Sequence, residues 1–184
     1  MEIILNIDSD HLDYFKDIDH IVSSFDRFAH LVPEAGTIIA YDANPFVNRV
    51  IQGLDNVVTF GLNENCDYCA KNILFDENGM PSFDVFHKGE KLNRVQLRIP
   101  GEHNILNALA AYACGHTLGV DSEIIKETLE SYHGTQRRFD IVGTTSKGVK
   151  IVDDYAHHPT EIKATLDASQ NVPHNKLWCL FQPH

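Results

Sequence analysis

Residues 149–161 read VKIVDDYAHHPTE, and the interpretation of the whole chain starts from this stretch. An apolar strand pattern, Val149–Val152, runs directly into two aspartates, a tyrosine and two histidines before Pro159 opens a helix. Open α/β sheets bind their ligands beyond the carboxyl ends of buried strands. Capping of the next helix by Asp153 or Asp154 is the structural alternative. Five ionisable or aromatic side chains within six positions favour a functional site instead.

Composition sets the outer limits on fold and partners. The chain has 184 residues, 43% of them hydrophobic, which leaves room for one domain with a buried core, or for one such domain and part of another. Its formal net charge of −11 argues against nucleic acid or an anionic membrane as the main partner. No apolar run is long enough to span a membrane, and we expect no membrane insertion and no signal peptide. Cys66 and Cys69 could form half a zinc site or a redox pair, but without a second pair at zinc spacing we expect reduced thiols in a cytoplasmic protein.

Strand and helix patterns alternate through the first part of the chain. Apolar strand patterns occupy 1–7, 37–41 and 57–60, with a helical period over 18–31 and a helix starting at Pro45 between them. This order predicts a parallel sheet with right-handed crossovers. Three period-2 segments then follow at 67–75, 82–88 and 92–99, separated by turn signals at Gly79 and Gly89. They predict a small antiparallel meander, packed as a decoration at the edge of the main sheet.

Two further helices close this part of the chain. A loop from Pro100 leads into a helix that ends near Leu118, and Asp121 caps another that ends before a domain boundary near residue 135. Asn104 and Asn107 lie three positions apart and therefore share a helix face. Their amides have the donors and acceptors needed to read an adenine edge. On spacing alone, capping by Asn104 is the simpler interpretation.

A polar loop follows the first strand. It contains Asp8, Asp10, His11 and Asp13 directly after the apolar residues that end at Ile7. Carboxylates and an imidazole at the carboxyl end of a strand could bind a divalent metal ion, alone or with a phosphate. A capped loop with solvated acidic side chains explains the same residues, and the two interpretations stay open here.

Five motifs occur in an order that resembles the Mur ligase family. They are NIDSDHLD at 6–13, PGEHNILNA at 100–108, GTQRRF at 134–139, DDYAHHPTE at 153–161 and FQPH at 181–184. The likeness runs over the whole chain, and DYAHHP at 154–159 is its most specific part. It implies an α/β fold in which 1–134 form the later part of a P-loop-type, ATP-binding central domain. Residues 135–184 would then begin a Rossmann-like C-terminal domain.

The resemblance also implies an activity. It is that of an ATP-dependent ligase of peptidoglycan precursor synthesis, which joins L-alanine to UDP-N-acetylmuramate through an acyl phosphate and uses ATP and Mg²⁺. The phosphate-loop pattern G-x-x-x-x-G-K-[ST] does not occur in this sequence. We therefore expect a segment that lacks the N-terminal and C-terminal parts of its enzyme and is inactive alone.

Three alternatives to this activity remain. A relative that re-attaches a recycled tripeptide to UDP-N-acetylmuramate has a similar histidine motif. A metal-dependent hydrolase is another, with the candidate residues Asp10, His11, Asp153, Asp154, His157 and His158. The third is a non-catalytic nucleotide-binding module.

Site residues also follow from the resemblance. His11 would be a catalytic ligand of magnesium, and Arg138 and His157 would also be catalytic. The nucleotide would be bound by His103, Asn104, Asn107, Arg137, Arg138 and Asp154. The other substrates would be oriented by Tyr155, His157 and His158. Some family members use a carbamylated lysine after the metal histidine, but neither Lys16 nor Arg27 matches it, and this role is unassigned.

Overall fold

The computed structural model describes residues 1–182. In chain order the elements are β1 (Glu2–Ile4), α1 (Ile18–Ala29), β2 (Ile38–Tyr41), α2 (Pro45–Ile51), β3 (Val57–Gly61), β4 (Tyr68–Phe75), β5 (Pro81–His87), β6 (Glu90–Gln96), α3 (Glu102–Thr117), α4 (Ser122–Ser131), β7 (Asp140–Thr144), β8 (Lys150–Asp153) and α5 (Pro159–Gln170). The predicted order of strands and helices is confirmed. The first strand is shorter than the predicted 1–7, because its pairing with β2 covers only Glu2 to Ile4.

The main sheet has the order β1-β2-β3-β4-β5-β6. Strands β1 to β4 are mutually parallel, and β4, β5 and β6 are antiparallel. The predicted mixed α/β fold with a parallel sheet and a meander is therefore confirmed. The meander lies at one edge of the main sheet, as expected, but β4 is hydrogen-bonded to β3, so the meander continues the sheet instead of packing against it.

The junction between β3 and β4 explains how two parallel strands follow each other after only a short loop. Parallel neighbours normally need a crossover of a dozen or more residues. Here β4 pairs only through Phe60 with Tyr68 and Gly61 with Cys69, so it begins where β3 ends. The rest of β4, from 70 to 75, runs about 20 Å past β3 at the usual rise per residue. The meander therefore projects beyond the carboxyl ends of the parallel strands.

Two buried apolar clusters hold the first 134 residues together. In one, α3 packs on the sheet, and Ile105, Leu109 and Tyr112 are fully buried there. The other lies between β1, β2, α1 and α2, with Ile4 and Val47 at its centre. Helix α4 belongs to the first cluster through its buried Ile125. The boundary near residue 135 remains a prediction, although the packing of α4 agrees with it.

The remaining described residues form a smaller unit. Strands β7 and β8 pair as an antiparallel hairpin, and α5 follows them. The sequence predicted that β8 is buried, which is wrong: Ile151 is 50% exposed and Val152 is 41% exposed. A two-stranded sheet has too few neighbouring elements to cover both of its faces. Whether this unit opens a Rossmann-like domain stays a prediction.

None of the helices among residues 1–182 combines the length and the apolar character that a bilayer crossing requires.

Candidate active site between the two units

Helix α5 begins inside the histidine motif. His158 is its N-cap, and its Nδ1 accepts a hydrogen bond from the backbone N–H of Thr160 at 3.3 Å. Pro159 occupies the first helical position, where its fixed φ and missing N–H are tolerated. The aspartates before it do not cap this helix, so the structural alternative considered for them is wrong.

The start of α5 contacts the polar loop after β1. The His158 Nε2 lies 2.9 Å from the carbonyl oxygen of Ser9, and the Thr160 hydroxyl donates to Asp8 Oδ2 at 2.7 Å. The hydrogen bond from Thr160 lowers the pKa of Asp8, although partial burial opposes this. Two loops separated by about 150 positions in sequence therefore form one polar surface at the carboxyl edge of the sheet.

Asp154 organises the backbone around this surface. Its Oδ2 accepts hydrogen bonds from the Phe139 N–H at 2.9 Å and from the Thr165 hydroxyl at 3.1 Å. Its Oδ1 accepts one from the Ala156 N–H at 2.8 Å. One carboxylate thus joins the segment before β7, the segment after β8 and the middle of α5. The nucleotide contact expected of Asp154 stays a prediction.

The two arginines lie in a strained backbone segment. Arg137 and Phe139 have φ angles of 60° and 49°, so both flank Arg138 in the left-handed region. Such conformations cost about 1–3 kcal/mol each and occur most often at functional sites. The bond from Phe139 to Asp154 helps to hold this conformation. Neither strained residue is a glycine, so the conformation is costly on both sides of Arg138. This makes the side chain of Arg138 a candidate for a functional role.

Each arginine has an acidic partner in the motif. The Arg138 Nη1 donates to Glu161 Oε1 at 3.2 Å, and the Arg137 Nε lies 3.6 Å from Asp153 Oδ2. Burial raises the pKa of Glu161, but the hydrogen bond from Arg138 and those from backbone N–H groups outweigh it and leave that pKa lowered. The Arg137 guanidinium also lies 4.6 Å from the ring centre of Tyr155, within cation–π range.

His157 lies between these groups. Its Nδ1 is 3.2 Å from the Tyr155 carbonyl oxygen and 3.7 Å from Glu161 Oε2. Its ring meets the ring of Tyr155 edge to face, with 5.4 Å between the ring centres. His157, Tyr155 and both arginines thus form one connected group, and their roles toward substrates stay predictions.

The start of α3 faces α5. Gly101 is the N-cap of α3 with a φ of 102° and makes no side-chain capping bond. A Cβ built on Gly101 would lie 2.6 Å from the ring of His103 and 3.1 Å from the Cβ of Ala168 in α5, so only glycine allows this approach. The lowered pKa of His103 results first from burial, with the Arg138 charge acting in the same direction and Asp154 opposing it. This places His103 within electrostatic range of both residues across the junction.

The asparagine pair lies just beyond. Asn104 Nδ2 donates to the Pro100 carbonyl at 2.7 Å, and Asn107 Nδ2 donates to Asn104 Oδ1 at 3.3 Å. The shared face predicted from their spacing is therefore present. Capping of α3 by Asn104 is wrong, since Gly101 is the N-cap. Asn107 is exposed, and adenine binding by this pair stays a prediction.

His11 lies on the other side of this surface. Its φ is 53°, its side chain is 72% exposed, and its Nε2 is 3.8 Å from Asp10 Oδ2. Mg²⁺ prefers oxygen ligands and is usually bound by one or two carboxylates together with water and phosphate oxygens. Asp10 offers one such carboxylate beside His11, and binding of magnesium by the imidazole stays a prediction. Among residues 1–182, no group of three or more acidic, histidine or cysteine side chains is arranged to hold a metal ion.

The structure also identifies contacts that sequence reasoning missed. Ser9, Thr160 and Glu161 connect the predicted residues, yet none of them was assigned a role, and Asp8 was considered only as part of a possible metal site. Thr160 and Glu161 occupy helix positions two and three after an N-cap, where a capping pattern could have indicated Glu161. No local pattern indicates the pairing of Asp8 with Thr160.

The cysteines are free thiols. Burial, together with the nearby Asp42 carboxylate, raises the pKa of Cys66 to about 12. Burial also raises the pKa of Cys69. Thiols of this kind are poor nucleophiles and poor metal ligands, in agreement with the expectation of unreactive, reduced cysteines.

Comparison with known proteins identifies the family. The model of the Mur ligase middle domain matches residues 1–115, and that of the Mur ligase glutamate ligase domain matches residues 137–184. A UDP-N-acetylmuramate–L-alanine ligase from Caldanaerobacter subterraneus subsp. tengcongensis is 51% identical over 183 residues, which are 99% of this chain and 40% of that protein. This chain therefore spans about two fifths of the length of the relative.

Solved structures agree with this result. The crystal structure of the UDP-N-acetylmuramate-alanine ligase MurC from Thermotoga maritima superposes with a TM-score of 0.76 at 28% identity, covering 92% of this chain and 38% of that one. The MurF ligase of Thermotoga maritima in complex with ADP has the same fold, with a TM-score of 0.78 at 22% identity over 93% of this chain and 39% of that one. The chain belongs to the Mur ligase family.

Proposed function

We propose that this chain is part of an ATP-dependent ligase that joins L-alanine to UDP-N-acetylmuramate in the cytoplasm, during synthesis of peptidoglycan precursors. It would contain the later part of the ATP-binding central domain and the start of the C-terminal domain. The observation that carries the proposal is the junction where His158 and Thr160 of the second unit contact Ser9 and Asp8 of the first. Identity of 51% to a protein of that name supports the choice of substrates.

The first unit would bind the nucleotide base. The paired amides of Asn104 and Asn107 lie at the start of α3, beside His103. An asparagine amide can donate to and accept from an adenine edge at the same time. His103 would pack against the bound base in its neutral form, because burial lowers its pKa.

The second unit would bind the phosphate groups. The guanidinium of Arg138 can grip phosphate oxygens with two parallel hydrogen bonds, and it lies across the junction from His103. Arg137 is stacked on Tyr155 and would add a second positive charge. The carboxylate of Glu161 accepts a hydrogen bond from Arg138, so a phosphate would compete with it for the guanidinium.

The remaining residues would position the reacting groups. When bound, ATP would supply the phosphoryl group that activates the substrate carboxylate, and Mg²⁺ held by His11 would neutralise phosphate charge. Tyr155, His157 and His158 would orient UDP-N-acetylmuramate and the amine of L-alanine. This chain would thus act by positioning and by neutralising charge.

The hydrolase alternative requires the same acidic and histidine residues to share one metal ion. Three of them have other partners in the structure. Asp153 lies beside Arg137, Asp154 accepts bonds from two backbone N–H groups and a hydroxyl, and the ring of His158 lies against the Ser9 carbonyl. These contacts argue against one metal ion shared by Asp153, Asp154 and His158.

The activity is tested on the purified full-length protein with UDP-N-acetylmuramate, ATP and Mg²⁺. L-Alanine and the recycled tripeptide are offered in separate reactions, and phosphate release and the ligated product are measured. We expect phosphate release and product with L-alanine. Product with the tripeptide alone would instead assign the recycling activity. Hydrolysis without any added amine would support a hydrolase, and nucleotide binding without turnover would support the non-catalytic module.

The adenine site is tested by Asn107→Ala in the same protein. Loss of a paired amide costs about 1–3 kcal/mol, so the KM for ATP should rise about tenfold or more while that for L-alanine stays nearly unchanged. Steady-state kinetics with each substrate varied in turn provide the measurement. If the melting temperature falls and both KM values stay the same, Asn107 is structural.

A further inference from the structure

The turn between β4 and β5 contacts the end of α5. A Cβ built on Gly79 would lie 2.5 Å from the carbonyl oxygen of Asn171 and 3.2 Å from the backbone nitrogen of Val172. Both are backbone atoms immediately after α5, and they cannot rotate away as a side chain would. Gly79 also has a φ of 78°, as the turn requires. The missing side chain at Gly79 therefore permits both the turn and the contact with α5.

Helix α5 contacts the first unit at three places along its length. His158 and Thr160 at its start bind the loop at Asp8 and Ser9. Ala168 lies against Gly101 at the start of α3, and the residues after the helix meet the Gly79 turn. A helix of 12 residues is about 18 Å long. Four adjacent strands span about 14 Å across a sheet, so the helix is long enough to cross them. The helix thus extends from the loop after β1 to the tip of the projecting meander.

The contact at Gly79 has little support beside it. A cavity of about 540 Å³ separates the two units there. Its lining residues come from both units and include Met80, Leu97, Phe139 and Ile141. Because this space is not filled by packed side chains, the C-terminal half of α5 is positioned by the close backbone contact at Gly79 together with the contact of buried Ala168 with Gly101.

We propose that Gly79 is a positioning residue. Its turn limits how closely the C-terminal end of α5 can approach the meander, and this limit sets the geometry of the site at the N-terminal end of that helix. A helix transmits a displacement of one end to the other because its backbone is rigidly hydrogen-bonded. A shift at Asn171 would therefore move His158 and Thr160 relative to Asp8 and Ser9. The consequence for catalysis rests on the proposed function, whereas the contact between turn and helix does not.

The chain contains a matched control for this proposal. Gly89 forms the other turn of the same meander and has a φ of 87°. A Cβ built on Gly89 would have nothing within 4 Å. Alanine at either position strains a left-handed backbone to a similar degree. Only alanine at Gly79 would also push against α5.

The first measurement is hydrogen exchange by mass spectrometry on full-length Gly79→Ala and Gly89→Ala, without substrates. We expect amides in 156–172 and in the loop 8–11 to exchange at least about threefold faster in Gly79→Ala, with α3 equally protected in both. The loop is remote from the turn, so strain confined to the turn would not reach it. Equal exchange in the two variants would overturn the proposal.

The second measurement is turnover at saturating substrates. Gly79→Ala should lower kcat several-fold relative to Gly89→Ala, with a smaller change in the KM for ATP. Faster exchange with an unchanged kcat would overturn the positioning role. If Gly79→Ala does not fold, Gly79→Asn and Gly89→Asn replace the pair, because asparagine tolerates a positive φ. If the parent protein does not ligate L-alanine, the proposed function fails, and the exchange comparison still decides whether the contact positions α5.

Discussion

Residues 1–134 and residues 135–182 are held together in different ways. The first unit buries two apolar clusters between its own sheet and helices. In the second, Ala168 is the one hydrophobic residue that is buried among those described, and its strands expose Ile141, Val142, Ile151 and Val152 by 41–58%. The first unit therefore has a core of its own, and the second is organised chiefly by polar contacts.

The polar contacts of the second unit also form the candidate site. Asp154 fixes the backbone on either side of the hairpin, and Glu161 holds Arg138. The strained residues Arg137 and Phe139 belong to the same group. A site built in this way can change its geometry when a ligand competes for its hydrogen bonds, because no rigid apolar core fixes it. The first unit, which has an apolar core, supplies the fixed half of the site. The second unit supplies the adjustable half.

The largest expected effect is on the free energy of unfolding, and it compares the same substitution, isoleucine to alanine, in the two units. Ile105→Ala removes a fully buried side chain from α3 and should lower the free energy of unfolding by about 2–5 kcal/mol. Ile151→Ala removes a side chain that is half exposed in β8 and should cost less than about 1 kcal/mol. Urea denaturation followed by circular dichroism measures both. Similar losses in the two variants would show that the hairpin is packed as tightly as the central unit.

Local sequence signals predicted most of the fold. Pro45 begins α2, and Asp121 caps α4 by accepting a hydrogen bond from the Glu123 N–H. Gly79 and Gly89 form turns with positive φ, as the hairpin signals require. Each of these features depends on residues that are close in sequence. Periodicity and capping chemistry are therefore sufficient to predict them.

The features that the sequence did not predict depend on distant residues. Whether β8 is buried depends on which elements cover it, and an apolar pattern alone does not report that. Asp67, the residue before β4, lies beside Thr59 of β3, and its carboxylate accepts hydrogen bonds from the Thr59 N–H and hydroxyl. These bonds hold the start of β4 against the end of β3. The bond between Asp8 and Thr160 spans 152 positions. For the site, the family resemblance supplied the candidate residues, and the structure places many of them along one junction.

The second prediction concerns the adjustable half of the site. Arg138→Lys keeps the positive charge but loses the planar fork that binds phosphate oxygens in pairs. If the proposed function is right, this substitution in the full-length protein should lower kcat at saturating ATP by about tenfold, with the fold intact. Arg49→Lys is the matched control, because Arg49 makes a similar ion pair with Asp19 on the first unit, at 2.9 Å.

Small-angle scattering adds a structural readout to this prediction. If Arg138 reaches the nucleotide only when the two units close, ATP should compact the parent more than Arg138→Lys. Normal turnover and normal compaction in Arg138→Lys would show that the arginine only supports the surface next to Glu161.

The smallest expected effect is on stability, and it comes from removing one hydrogen bond between the two units. Thr160→Val keeps the shape of the side chain but removes the hydroxyl that donates to Asp8. Because the bond is partly exposed, its loss should lower the free energy of unfolding by less than about 1 kcal/mol at pH 6. Thr128→Val is the control, since the Thr128 hydroxyl bonds only within α4, to the Ile124 carbonyl.

The dependence of this effect on pH distinguishes the ionised form of Asp8 from the neutral one. The pKa of Asp8 is lowered first by Thr160, so in the parent the stability from this group is present above the ordinary value of 3.8 and is lost as the pH falls through the lowered pKa. Thr160→Val removes the main cause of that shift. The difference in stability between variant and parent should therefore be largest above pH 3.8 and shrink in more acidic solution, as urea unfolding between pH 6 and pH 3 would measure. A difference that stays constant over this range, or equals that of Thr128→Val, would mean that the hydroxyl does not stabilise the carboxylate and that the two units are held together by their other contacts.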